Sequence, residues 1–91
     1  MVDTMLVKRG GGLEAYDPAK LRSSLAAACK SVRAPEGEAE TSAALAVARV
    51  ERWLMGRPEV TTADIRRKAA EALVVYNPEA AYIYQQHKNI S

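Results

Sequence analysis

Phenylalanine is absent from this 91-residue chain, and Cys29, Trp53 and His87 are each the single residue of their kind. Without phenylalanine and with abundant alanine, a core must come from Leu, Val, Ile, Ala and a few Tyr, which calls for close helix packing. A lone cysteine excludes an internal disulfide and a four-cysteine zinc site, and fits a reducing compartment. In its alanine-rich stretch Cys29 reads as a buried, inert thiol. One histidine near a polar terminus reads as solvated rather than as a metal ligand. No apolar run approaches the roughly 20 residues of a membrane helix. The opening Met1-Val2-Asp3-Thr4-Met5 lacks the basic and long apolar regions of a signal peptide. A cytoplasmic location, with no membrane partner, is the expectation. Thirteen basic residues against eleven acidic give a formal charge of +2, too balanced for a broad DNA-binding surface. Neither Gly-x-x-x-x-Gly-Lys-Ser/Thr nor Gly-x-Gly-x-x-Gly occurs, so any nucleotide must be held by other means.

What is present begins with Lys8-Arg9-Gly10-Gly11-Gly12, set between the apolar segments Met5-Leu6-Val7 and Leu13-Glu14-Ala15-Tyr16. Two readings stand side by side. Three glycines between short apolar strands turn an ordinary hairpin; glycines beside Lys and Arg also expose amide N–H groups suited to a polyphosphate. Directly afterwards, Asp17 reads as an N-cap with Pro18 at the first helical position. A hairpin therefore runs straight into a helix start.

Four helices follow by periodicity. The first carries Leu21, Leu25, Ala28 and Val32 on one stripe and ends at Ala34-Pro35-Glu36-Gly37. Acids Glu36, Glu38 and Glu40 favour the start of the second, which runs to about Met55 with Ala43, Ala46, Val47, Val50, Trp53 and Leu54 inward and Gly56 as its stop. Trp53 reads as core packing rather than as a base-stacking platform, since the stripe already accounts for it. Arg57-Pro58-Glu59-Val60 reads as a connector. Thr61 or Thr62 caps the third helix, with Asp64 placed for a capping pair, and Ile65, Ala69, Ala72, Leu73 and Tyr76 form its buried face before Asn77-Pro78. The last helix spans about Glu79 to His87, with Tyr82 and Ile83 as core. Arg66, Arg67 and Lys68 sit at the helix end that disfavours cations. Either an anion relieves that mismatch or the three form a solvated basic face.

The stretch Leu6 to Leu21, with its strand, Lys8-Arg9, glycine turn, Tyr16, Asp17 and Lys20-Leu21, resembles the opening of the ATP-cone domain. Val60-Thr61-Thr62-Ala63-Asp64-Ile65 is similar to the start of that family's third helix, and Ala81-Tyr82-Ile83 to its closing Ala-Tyr-hydrophobic signature. The matches fall in order from about Leu6 to about Lys88. Gly10 departs from the Asp or Asn usual there, and Gln85 to Ser91 is more polar than the family's aromatic and Arg-containing ending.

The resemblance implies an α+β, mostly helical fold: a short N-terminal β-hairpin packed on a four-helix cluster, as one domain over residues 1–91. It implies a regulatory module that binds ATP or dATP with Mg2+, as found in ribonucleotide reductases and their transcriptional repressor, and performs no chemistry itself. It makes Lys8 and Arg9 phosphate contacts, Leu6 a residue beside the base, Glu14 and Asp17 polar contacts to base or sugar, and Lys20, Thr62 and Arg66 contacts from the helical side. Arg66 occupies a position that varies in the family. Such a module acts on a partner chain or on its own oligomeric state, and on DNA only indirectly.

Among the residues themselves no cysteine–histidine or serine–histidine constellation stands out, which makes an enzyme the least favoured class. The alternative to a nucleotide-binding module is a helical protein- or nucleic-acid-interaction module that keeps the fold without using nucleotide.

Overall fold

The computed structural model describes residues 3–87. Strands β1 (Met5–Val7) and β2 (Leu13–Ala15) form the hairpin and lead into α1 (Pro18–Ser31) and α2 (Glu36–Leu54). A third strand, β3 (Glu59–Thr61), precedes α3 (Thr62–Tyr76) and α4 (Pro78–His87). The polar ending expected from Lys88 onward and the side chain of His87 lie outside the described residues.

Local chemistry sets these boundaries. Asp17 Oδ1 accepts from the amides of Ala19 (3.1 Å) and Lys20 (3.3 Å), so the expected cap starts α1 with Pro18 at its first position. Thr61, not Thr62, caps α3: its Oγ1 accepts from the Asp64 amide at 3.0 Å. Asn77 Oδ1 takes the Ala80 amide at 3.0 Å and opens α4 one residue earlier than expected. α2 starts after Pro35 with no side-chain cap, and Glu36 and Glu38 in its first turn offset the exposed N–H groups instead.

The hairpin is one edge of a three-stranded sheet in the order β2-β1-β3. β1 runs antiparallel to β2, with Leu6 opposite Glu14, and parallel to β3, with Leu6 opposite Val60. The segment read as a connector is thus partly a strand. Its Glu59 and Thr61 are exposed and only Val60 is buried, so it presents a single apolar residue to the core. The link is reinforced from both sides: the Met5 amide donates to the Pro58 carbonyl (2.9 Å) and Thr4 Oγ1 to the Arg57 carbonyl (2.8 Å).

In the hairpin loop the Gly11 amide donates to the Lys8 carbonyl and the Lys8 amide to the Gly12 carbonyl. The left-handed position falls on Gly11, at φ +90°, a turn followed by a bulged glycine. Gly10 is not in that region, and a Cβ there meets nothing within 4 Å. This turn therefore does not require glycine at position 10.

The four helices pack in a closed cycle, α1 on α2, α2 on α3, α3 on α4 and α4 on α1. Ala39, Ala43, Ala46, Val50 and Leu54 repeat along the buried side of α2, facing Leu25 and Cys29 of α1 and Ala69 and Leu73 of α3. Small side chains at these contacts permit short distances between helix axes, which is how a core without phenylalanine is filled. Cys29 is fully buried, as expected, and burial pushes its thiol pKa up. Leu21, Val32, Trp53 and Tyr76 lie on the expected stripes but are only half-buried at the core's margin.

Tyr82 corrects the expectation. It is 62% exposed, and Ala80 and Ala81 take the buried positions of α4. Close approach of α4 to α1 and α3 suits alanine at those positions and turns the Tyr82 ring outward. Ile83 is half-buried.

α1 ends in a Schellman arrangement, the Arg33 amide donating to Lys30 and the Ala34 amide to Cys29. Arg33 is its left-handed residue, at φ 65°, where a side chain costs about 1 kcal/mol relative to glycine. Arg33→Gly is therefore expected to stabilise the protein by roughly 0.5–1 kcal/mol, read as a higher midpoint in urea unfolding.

Candidate functional site

Alternation along the sheet builds one wall of a cavity. With a period of two, Leu6 of β1 and Lys8 just beyond its end project to the same side, and because Leu6 pairs with Glu14, so do Glu14 of β2 and Tyr16 just after it. All four line a cavity of about 730 Å³, within the range of small-molecule clefts. The helical wall comes from α1, where Lys20, Ser24, Ala27 and Ser31 recur at helical spacing, the last three leaving room by their small size. Thr62, Ile65 and Arg66 from the first turns of α3 and Tyr84 from α4 complete the lining.

Leu6, Lys8, Glu14, Asp17, Lys20, Thr62 and Arg66, the residues singled out from the sequence, are thus brought together although they come from β1, β2, the α1 cap, α1 and α3. Arg9 is not: it sits in the exposed turn and does not line the cavity. Nor do Gly10, Gly11 and Gly12, and the Gly11 amide is engaged by the Lys8 carbonyl. The glycine run does turn a hairpin.

Tyr16, Leu21, Ser24, Ala27, Ala28, Ser31, Ile65 and Tyr84 complete the lining without having been anticipated. For the α1 group a signal existed in the sequence: small residues on the same helical stripe as Lys20. For Tyr84 it lay in the phase of α4, since Tyr84 follows the buried Ala80 by four residues.

Three cations, Lys8, Lys20 and Arg66, face two carboxylates, Glu14 and Asp17, around the cavity. Lys8 Nζ pairs with Glu14 Oε2 at 3.0 Å. That hydrogen bond, then the charges of Lys20 and Lys8, hold the Glu14 carboxyl below its usual range, so Glu14 is an anion and acceptor at neutral pH. Asp17 divides its role, since Oδ1 already caps α1. Thr62 Oγ1 donates to the Val7 carbonyl at 2.9 Å and fastens the start of α3 to the end of β1.

The basic trio at the start of α3 splits. Arg67 pairs with Asp64 (3.1 Å) and Glu71 (3.8 Å), and Lys68 with Glu71 (3.4 Å), on the exposed side of the helix. Arg66 alone of the three lines the cavity, adding a guanidinium where the α3 dipole is positive, a combination that favours an anion.

Burial raises the hydroxyl pKa of Tyr16 and of Tyr84; the Tyr16 hydrogen bond to Glu51 Oε2 (2.8 Å) adds to the shift, and the Arg66 charge opposes it at Tyr84. Unfolded tyrosines ionise near pH 10, whereas these two stay protonated to higher pH in the fold. Their contribution to stability is complete below about pH 10 and is lost as pH rises above it. Tyrosinate absorbance against pH is expected to show Tyr16 and Tyr84 ionising together with unfolding. Tyr84→Phe should flatten the alkaline limb of a stability curve.

This arrangement can hold a polyanion with an attached planar group: cations and a helix N-terminus on one part of the lining, apolar Leu6, Leu21 and Ile65 on another, and acceptors at Glu14 and Asp17. Among the described residues no group of three or more His, Cys, Asp or Glu side chains is placed to hold a metal ion, and no helix is long and apolar enough to cross a membrane.

A family model for the ATP cone domain matches residues 4–89. Comparison with curated proteins gives no match. ATP-cone domains are regulatory, non-catalytic modules that bind adenine nucleotides. The match spans nearly the whole sequence, and the helix-rich fold with its small N-terminal sheet agrees with it, so the chain belongs to the ATP-cone family.

Proposed function

We propose that residues 1–91 act as a single regulatory domain that binds ATP or dATP in the cavity between the sheet, α1, α3 and α4. The observation that carries this reading is the convergence of Lys8, Lys20 and Arg66, from three separate elements, on one cavity that also has an apolar side. In this reading Lys8, Lys20, Arg66 and the start of α3 bind the triphosphate, with Thr62 beside them. The base lies against Leu6. Glu14 and Asp17 accept hydrogen bonds from the exocyclic amine of adenine or from the sugar, which the ionised state of Glu14 favours.

Arg9, outside the lining, contributes through its charge at longer range, so Arg9→Ala has a smaller effect than Lys8→Ala or Lys20→Ala. Mg2+ accompanies the triphosphate and takes its ligands mainly from phosphate oxygens and water. Because the ligand touches the hairpin and the helices at once, it favours whichever arrangement brings them together, and this differential contact is what regulation of a partner chain or of self-association requires. The lone buried thiol is compatible with a cytoplasmic setting.

The test is calorimetric titration with ATP, dATP, GTP and ADP in the presence of magnesium, with mass followed by light scattering. Saturable adenine-selective binding is the expected result, and a change of mass identifies self-association as the output. A folded protein that binds none of the four overturns the reading and leaves a nucleotide-independent interaction module in its place.

A further inference from the structure

Tyr16 lines the nucleotide cavity and also reaches α2, a helix that contributes nothing to the lining. Its hydroxyl donates to Glu51 Oε2 at 2.8 Å. Thr62, by contrast, ties β1 to α3, and both of those elements line the cavity. The Tyr16–Glu51 bond therefore links the cavity wall to an element outside it.

Both ends of the Tyr16 side chain are fixed. At its root the Tyr16 amide donates to the Thr4 carbonyl at 3.0 Å, extending the β1–β2 ladder by one pair; at its tip Glu51 holds the hydroxyl. The ring is only half-buried, so packing alone leaves it other staggered orientations. Burial and the Glu51 contact keep the hydroxyl protonated, and so donating, at neutral pH.

Position along the sheet decides which part of a ligand the ring serves. Tyr16 stands opposite Thr4, separated from Lys8 by about 13 Å of extended backbone, with the Leu6–Glu14 pair between them. With a triphosphate at Lys8 and a base against Leu6, the ring falls on the base side of the cavity. We infer that Glu51 is a positioning residue for the nucleotide, holding the Tyr16 ring in the orientation that receives the base. This role presupposes the nucleotide reading. Without the Glu51 acceptor the ring spends only part of its time in that orientation, and apparent affinity falls in proportion. Because such coupling is reciprocal, a bound base also strengthens the join between the hairpin and α2.

Calorimetry of the full chain compares ATP with inorganic tripolyphosphate, which carries the anionic charge but no base. Glu51→Gln and Glu51→Leu remove the same charge, and only the first keeps an acceptor for the hydroxyl. ATP binding is expected to be about threefold to tenfold weaker in Glu51→Leu than in Glu51→Gln, the span that one hydrogen bond commands. Tyr16→Phe, which keeps the ring but lacks the donor, shows a loss of the same size relative to the parent chain. Tripolyphosphate binds all of them alike, which a general loosening of the fold would not allow. In the Tyr16→Phe background the two Glu51 variants bind ATP equally. Circular dichroism checks that each variant is folded. Parental ATP affinity in Tyr16→Phe, equal affinity of the two Glu51 variants, a difference between them that survives Tyr16→Phe, or a parallel loss of tripolyphosphate binding overturns the inference while the nucleotide reading stands. Failure of the parent chain to bind ATP overturns both.

Discussion

Replacing Lys20 by alanine is expected to weaken ATP binding by about tenfold to a hundredfold while leaving the protein folded. Lys20 is exposed on the first turn of α1, lines the cavity, and forms no ion pair among the described residues. Removing it therefore breaks no ion pair and takes away only its longer-range charge effect on Glu14. What is lost is a charge-assisted contact to phosphate, of the order of 1.5–3 kcal/mol, which sets the range. Lys8→Ala is a less clean experiment, since it also releases Glu14 from its 3.0 Å pair and leaves a carboxylate facing the ligand without its cation. Calorimetry with both variants separates the two effects: Lys20→Ala at parental affinity would remove Lys20 from the site, whatever Lys8→Ala does.

Leu73→Ala is the substitution with the largest expected effect on stability. Leu73 is fully buried on α3 and belongs to the core shared by all four helices. Truncation of a buried leucine costs about 2–5 kcal/mol, the larger values where neighbours cannot close the gap. Here many neighbours are alanines, whose short side chains cannot extend into a void, so the upper half of the range applies. A small domain holds roughly 5–15 kcal/mol in total, and a fall in Tm of about 15–40 °C follows. Differential scanning calorimetry measures it, and a fall of less than about 5 °C would show that the helices close around the truncated side chain.

The legible parts of the fold were those with strong local chemistry. Asp17-Pro18 announces a helix start because a side-chain acceptor and a fixed φ act within three residues, and the stripes of α1, α2 and α3 repeat often enough for periodicity to fix their inward faces. β3 escaped notice because a three-residue strand with one buried side chain, just after a proline, has no periodicity to read; it exists through its pairing with β1, a partner more than 50 residues away. Tyr82 was read as core, yet tight packing of α4 selects the smaller Ala80 and Ala81. In the candidate site, the charged residues were reached through family resemblance, whereas the α1 floor of Ser24, Ala27 and Ser31 went unremarked, since small residues mark a cavity by the space they leave.

The parallel pairing of β1 with β3 has a consequence for the order in which the protein matures. β1 occupies the centre of the sheet, but one of its neighbours is made last: residues 4, 5 and 7 bond to 57, 58 and 62. Contacts of such high sequence separation form late, after the local helices. A chain growing from its N-terminus therefore has its hairpin and the cap of α1 long before Thr62 and Arg66 arrive to close the cavity. On the proposed reading, ligand binding cannot assist the early steps of folding, and acts only as a clasp on the last long-range join.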